Sequence, residues 1–142
     1  MKVVLDSNII FSSLISGKDL YIDIFKSLEI YVPDFIFAEI SKYEEIIIKK
    51  TKKGEDFRFF VRELFSEIVV IPKFAISKQN YREALSLCAD VDVKDTAYLA
   101  LSIELDIPLW TNDKKLILGL TKKGFEKIIT TEEIFKLTVE KQ

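Results

Sequence analysis

The chain has 142 residues, with 23 acidic and 21 basic side chains, a formal charge of −2, no histidine and a single cysteine. A hydrophobic fraction of 49% beside 31% charged residues suits one folded domain over residues 1–142 with a soluble surface. The missing residue types exclude an intrachain disulfide, a Cys/His zinc centre, and nucleophilic or general-base catalysis that depends on imidazole.

In chain order, the first predicted element is a buried strand over 2–6. Its acid comes too early for a secretory leader. Helices are predicted over about 8–16 and 19–29, then a short strand over 30–33 ended by Pro33. A long helix runs from Asp34 to about position 53, with Gly54 as its break, and another covers 55–66. A strand over 68–71 is ended by Pro72, and Ser77 is placed to N-cap a helix to about position 89. That helix holds Cys88 as a small buried apolar residue. A helix over 93–105, a strand over 108–111 and a short strand over 127–129 follow. Thr130-Thr131-Glu132-Glu133 has the pattern of a capping box that opens a last helix. No apolar run reaches the roughly 20 residues that span a bilayer, so a cytoplasmic protein with no membrane partner is expected. Strands alternating with helices imply an α/β fold on a mainly parallel sheet. In such sheets ligands gather outside the carboxyl ends of the strands, at a topological switch point.

Four acids stand in unusual places. Asp6 closes the apolar run Val3-Val4-Leu5, although Asp is depleted in strands. It is either a sheet-edge carboxylate, where a cation could sit, or a helix cap. Asp113 repeats the arrangement after Leu109-Trp110-Thr111-Asn112, with the same two readings. Glu39 falls between Tyr43 and Ile46 on a helix face that also carries Ile36, Ile40 and Ile47. A carboxylate there needs a partner, or must reach out from the edge of the face. Asp95 opens the 93–105 helix in phase with Ser102 and Asp106, away from most apolar positions; the simpler reading is an acid complementing the helix dipole. Asp92, three residues earlier, reads first as an N-cap and second as a ligand. Should these carboxylates converge, their mutual repulsion demands a counter-charge. Oxygen ligands suit Mg²⁺ or Mn²⁺, which can activate water and stabilise a leaving oxygen without any histidine.

Taken together, the segments resemble the PIN-domain family. Val3-Val4-Leu5-Asp6-Ser7-Asn8-Ile9 resembles its opening strand, and Pro33-Asp34-Phe35-Ile36-Phe37-Ala38-Glu39-Ile40 the helix carrying its Glu. Asp92-Val93-Lys94-Asp95-Thr96-Ala97-Tyr98-Leu99-Ala100-Leu101 resembles its central acidic helix. Leu105-Asp106-Ile107-Pro108-Leu109-Trp110-Thr111-Asn112-Asp113-Lys114-Lys115-Leu116 resembles its last acidic strand end. The resemblance implies a three-layer α/β/α sandwich and a divalent-metal ribonuclease. By position it assigns Asp6, Glu39, Asp95 and Asp113 to the metal and catalytic site, with Mg²⁺ or Mn²⁺ as cofactor. Asp92 matches an acid of one prokaryotic subgroup, and Ser7, Asn8 and Thr111 match nearby polar positions. Many single-domain prokaryotic members are VapC-type toxins of toxin–antitoxin pairs, so a homodimer, an RNA substrate and an antitoxin partner are expected. The alternative is a non-catalytic RNA-binding or assembly module on the same fold.

For RNA contacts, Lys114 and Lys115 are preferred because they adjoin Asp113. Lys49, Lys50, Lys52, Lys53, Arg58 and Arg62 form another basic group, and Lys122-Lys123 a third. Such residues give sequence-blind phosphate affinity, or are simply solvated helix faces. The charge of −2 counts mildly against tight non-specific binding, unless a metal neutralises some of the acid. Tyr21, Phe25, Phe59 and Phe60 read as core or dimer interface, not as stacking platforms. A phosphoacceptor receiver or an Asp-nucleophile phosphatase is disfavoured. The first needs an acidic pair at the end of strand 1, and the second an Asp where Asn8 stands.

Overall fold

The computed structural model describes residues 1–140. Its strands are β1 (Lys2–Leu5), β2 (Glu29–Pro33), β3 (Ile68–Ile71), β4 (Leu109–Trp110) and β5 (Ile128–Ile129). Its helices are α1 (Ser7–Ser16), α2 (Leu20–Lys26), α3 (Phe35–Lys50), α4 (Phe57–Ser66), α5 (Lys78–Cys88), α6 (Thr96–Leu105), α7 (Lys114–Lys122) and α8 (Thr131–Glu140). The strands form one parallel sheet in the order β3-β2-β1-β4-β5. β1 is paired on both sides, and Val3, Val4 and Leu5 have no exposed surface. A strand covered on both faces and both edges must be apolar throughout, and for that reason its sequence shows no alternation.

From β1 the chain steps outward to β2 and β3, then returns past β1 to β4 and β5. Right-handed crossovers in these two directions put their helices on opposite faces. Helices α1 to α4 pack among themselves, whereas α6 lies on β1, β2 and β4 with α5 against it, and α5 also meets α7. The expected three-layer α/β/α sandwich is therefore present. The reversal of direction makes the gap between the carboxyl ends of β1 and β4 the switch point of the sheet.

Several expected boundaries shift, each for a local reason. The second helix ends at Lys26, and Glu29 opens β2 instead, its N–H donating to the Met1 carbonyl at 2.9 Å. The long helix ends at Lys50, ahead of Gly54. There the Thr51 hydroxyl bonds the Leu14 carbonyl at 2.8 Å and the Lys52 N–H bonds that of Ile15 at 2.9 Å, drawing the chain onto α1. Ile46, expected on the buried stripe, is 47% exposed; the inward face is centred on Ile36, Glu39 and Ile47. The segment after Asp113, left without an element, forms α7, which buries Leu116 and Leu120. Ser77 and Thr130 cap as expected: the Ser77 hydroxyl accepts from the Asn80 N–H, and Thr130 exchanges bonds with Glu133. Phe25, Phe60 and Cys88 are core residues, but Phe59 is exposed. No described helix is long and apolar enough to cross a membrane.

Candidate metal centre

Strand β1 carries Asp6 into the switch point. The Asp6 N–H donates to the Trp110 carbonyl at 3.0 Å, extending the β1–β4 ladder beyond the strand and holding the residue 1% exposed. Although Asp6 stands at the N-cap position of α1, its side chain makes no capping bond. Oδ2 accepts from the Thr111 hydroxyl at 2.8 Å, while Oδ1 is buried without a partner. Burial raises its pKa to about 6, against the Thr111 hydroxyl and the nearby Asn8 backbone, which favour the charged form; Asp113 and Glu39 add to the rise.

Asp95 ends a short 3₁₀ turn, Val93–Asp95, that leads into α6. Although its helical phase sets it away from most apolar positions, it is only 7% exposed, and residues 96–102 behind it are all buried. Over residues 96–102 helix α6 is enclosed on every side, as expected of a largely apolar stretch that crosses three strands. Asp95 Oδ2 has no partner, and burial, followed by the charges of Asp6, Asp92, Asp113 and Glu39, raises its pKa to about 7.

Glu39 sits one turn into α3, buried as its helical phase implied. Its partners are hydroxyls, not a base: Ser7 Oγ donates to Oε2 at 3.4 Å, and the Tyr98 hydroxyl donates to Oε1. Tyr98 is itself buried, and burial together with the Glu39 carboxylate pushes its phenol pKa upward, so it stays a donor. Asp113 is half-buried and caps α7, Oδ1 accepting from the Leu116 N–H at 3.1 Å. Fully buried Thr111 links the two strand-end acids. Its hydroxyl donates to Asp6 and accepts from the Asp113 N–H at 3.1 Å. Asn112 ties the same loop to α8, its Oδ1 accepting from the Thr131 N–H at 2.9 Å. Asp92 is exposed and bonds the Lys94 N–H at 3.0 Å, the cap expected of it.

One hollow of about 230 Å³ is walled by Ser7, Asn8, Glu39, Asp92 and Asp95 with Phe11, Tyr43 and Lys94. Asp6 and Asp113 do not line it, but they are close enough for their charges to act on Asp95. None of the described ion pairs involves Asp6, Glu39, Asp95 or Asp113. Among the described residues no group of three or more acidic or thiol side chains is arranged to hold a metal ion. The donor set nevertheless fits a hard divalent cation. It is all oxygen, and two of its buried carboxylate oxygens lack any hydrogen-bond donor. Lys94 lines the hollow but forms no ion pair with these acids, and the other basic groups lie elsewhere. Lys114 and Lys115 are exposed in the first turn of α7 and do not line the hollow. The Lys49 group lies at the far end of α3, about 15 Å along the helix from Glu39. Within it, Lys53 is bound to Asp19 at 2.6 Å. A larger cavity of about 900 Å³ opens between Lys73 and Arg82 and has no acid in its wall.

Tyr98 and Lys94 escaped the sequence reading. In a helix apolar on all sides Tyr98 looks like core, and only its spacing of three from Asp95 sets it apart. A family model described as PIN domain matches residues 4–134. No curated protein matches the sequence.

Proposed function

This chain belongs to the PIN-domain family, and from that premise we infer a divalent-metal-dependent endoribonuclease that hydrolyses phosphodiester bonds in RNA. One observation carries the inference. Asp6 Oδ1 and Asp95 Oδ2 are buried, unpartnered and held beside further acids, and none of the four acids forms an ion pair among the described residues. Such a cluster is costly unless a cation completes it. Asp6, Glu39, Asp95 and Asp113 would hold Mg²⁺ or Mn²⁺, with Asp92, Ser7 and Asn8 at its margin. When bound, such an ion supplies an activated water and neutralises charge that develops on the leaving oxygen.

The protein's own residues do the orienting. Thr111 fixes which oxygen of Asp6 stays free, and the Tyr98 and Ser7 hydroxyls turn Glu39 toward the hollow. Lys114 and Lys115 stand exposed in the first turn of α7, next to the Asp113 cap, where their charges would meet the phosphates of a bound strand.

The test is cleavage of labelled single-stranded RNA with Mg²⁺ or Mn²⁺ and with EDTA, for the wild type and Asp6→Asn. Metal-dependent cutting that Asp6→Asn abolishes is expected. Binding with no turnover under any metal would instead assign a non-catalytic module. A toxin role with an antitoxin partner, and a homodimer, rest on family resemblance alone. Growth arrest on induction, absent in Asp6→Asn, tests the first, and sedimentation tests the second.

A further inference from the structure

The sheet has two edges, and the fold treats them differently. At one end of the strand order, β5 offers only Ile128 and Ile129, too short an edge to template another chain. At the other end, β3 reads Ile-Val-Val-Ile, β-branched at every position. Edge strands are ordinarily blunted by a charge, a proline or a bulge. Between Ile68 and Ile71 there is no charge and no proline, and the register against β2 runs unbroken. Val69 is 49% exposed, and Phe74, just past the strand, is 92% exposed, the most of any described large hydrophobic residue.

The hydrogen-bonding groups on the open side follow from one bond. The Asp34 N–H donates to the Ile71 carbonyl at 2.9 Å, so Ile71 turns its backbone groups toward β2. Successive residues alternate, so Val69 also faces β2, while Ile68 and Val70 present N–H and C=O outward. No other described backbone segment bonds to these outward groups. Two copies related by a two-fold axis across this edge run antiparallel. With the axis at Val70, the two Val70 residues exchange reciprocal N–H···O=C bonds. The same axis sets residues three positions either side of Val70 against each other, so Glu67 of one copy faces Lys73 of the other, twice. Within the chain neither Glu67 nor Lys73 enters an ion pair among the described residues, and Lys73 Nζ lies 5.1 Å from the Tyr81 ring centroid. Opposite charges at the two ends of one edge thus select both the direction and the register of self-pairing.

We propose that β3 is the edge at which two copies of this chain join, antiparallel about Val70, with Glu67 of each copy against Lys73 of the other. Neither the nuclease reading nor family membership enters this pairing. Because the joined strands run in opposite directions, the carboxyl ends of the two sheets, with their acidic hollows, open on opposite sides of the dimer.

The test is sedimentation equilibrium of the intact protein over a range of concentrations. Wild type is expected to dimerise. Lys73→Glu, which sets like charges opposite each other at both ends, should weaken the dimer by about tenfold or more, and so should Glu67→Lys. The double variant Glu67→Lys/Lys73→Glu should restore it. Val70→Pro removes the outward N–H without touching the β2 ladder and should abolish the dimer. Thermal melts confirm that each variant is folded; should Val70→Pro unfold, the charge exchange still decides. Amide exchange read by NMR adds a local measure: the Ile68 and Val70 N–H should be protected in the dimer and exposed in Lys73→Glu. A monomer at every concentration would overturn the proposal. So would a dimer that the charge reversals leave unchanged, or one that the double variant fails to restore. RNA cleavage is not read in any of these arms, so the dimer edge and the nuclease stand or fall separately.

Discussion

Asp6 and Asp95 show how burial prepares a carboxylate for a cation. Each is withdrawn from water with one oxygen unpaired, and burial is the first cause of both raised pKa values, about 6 and about 7 against an ordinary 3.8. The sign of the stability effect follows. Between about pH 4 and pH 7 the folded protein holds protons that the unfolded chain has already released. The contribution is therefore complete below pH 4 and is lost as pH rises through 6 and 7. Asp90 and Glu104, whose pKa values are lowered by Lys123 and by the Ser77 N–H respectively, act in the opposite sense but only below about pH 4. Melting in EDTA should thus give a higher Tm at pH 5 than at pH 8, with the gap narrowed in Asp6→Asn. A Tm that climbs steadily to pH 8 would contradict the burial of these two charges.

At the scale of elements, α7 separates a structural duty from a chemical one. Asp113 both caps the helix and supplies a charge at the site. Asp113→Asn keeps a cap acceptor, so urea unfolding should place it within about 0.5 kcal/mol of wild type while cleavage is lost. Asp113→Ala should lose cleavage and about 1 kcal/mol of stability as well. Full activity in Asp113→Asn would leave Asp113 as a cap alone. The same helix explains its only glycine. A Cβ at Gly119 would lie 2.6 Å from Val91 Cγ2, a stiff β-branched neighbour. Replacing glycine by alanine inside an open helix gains about 1 kcal/mol. Here overpacking of roughly 1–3 kcal/mol outweighs that gain. Gly119→Ala is therefore expected to destabilise by about 1 kcal/mol, and Val91→Ala in the same chain to relieve the strain. Equilibrium unfolding of the single and double variants measures both.

For the whole molecule, the candidate site is a junction. Asp6 leaves the central strand, Glu39 comes from a helix beyond β2, Asp95 precedes the enclosed helix on the other face, and Asp113 follows β4. A cation held there ties both helical layers to the sheet. At about 100 times its Kd it should add roughly 2.7 kcal/mol, read as a Tm rise of several degrees. An equal ionic strength of NaCl should not reproduce the rise, and Asp6→Asn should lose it.

Much of this arrangement was legible in the chain. A strand buried on both faces must be written as an unbroken apolar run, so β1 announced itself; β3 reads alike although it is an edge strand with Val69 exposed, and an acid directly after such a run, as at Asp6 and Asp113, is conspicuous. Glu39 was readable because α3 has one apolar face, on which a carboxylate stands out. Phase means nothing in α6, which is apolar on all sides, so the burial of Asp95 and the role of Tyr98 were invisible. Helix α7 was hidden because it buries just Leu116 and Leu120 and carries a glycine between them. By itself the sequence determined the layers of the fold and the identity of four unusual acids, because periodicity and local composition follow from which side of each element meets water. Only the tertiary structure decided that Glu39 and Asp95 wall one hollow with Asp6 and Asp113 near enough for their charges to reach Asp95, and that Glu39 is held by hydroxyls. Those facts depend on distances between residues far apart in the chain, which a one-dimensional pattern does not encode.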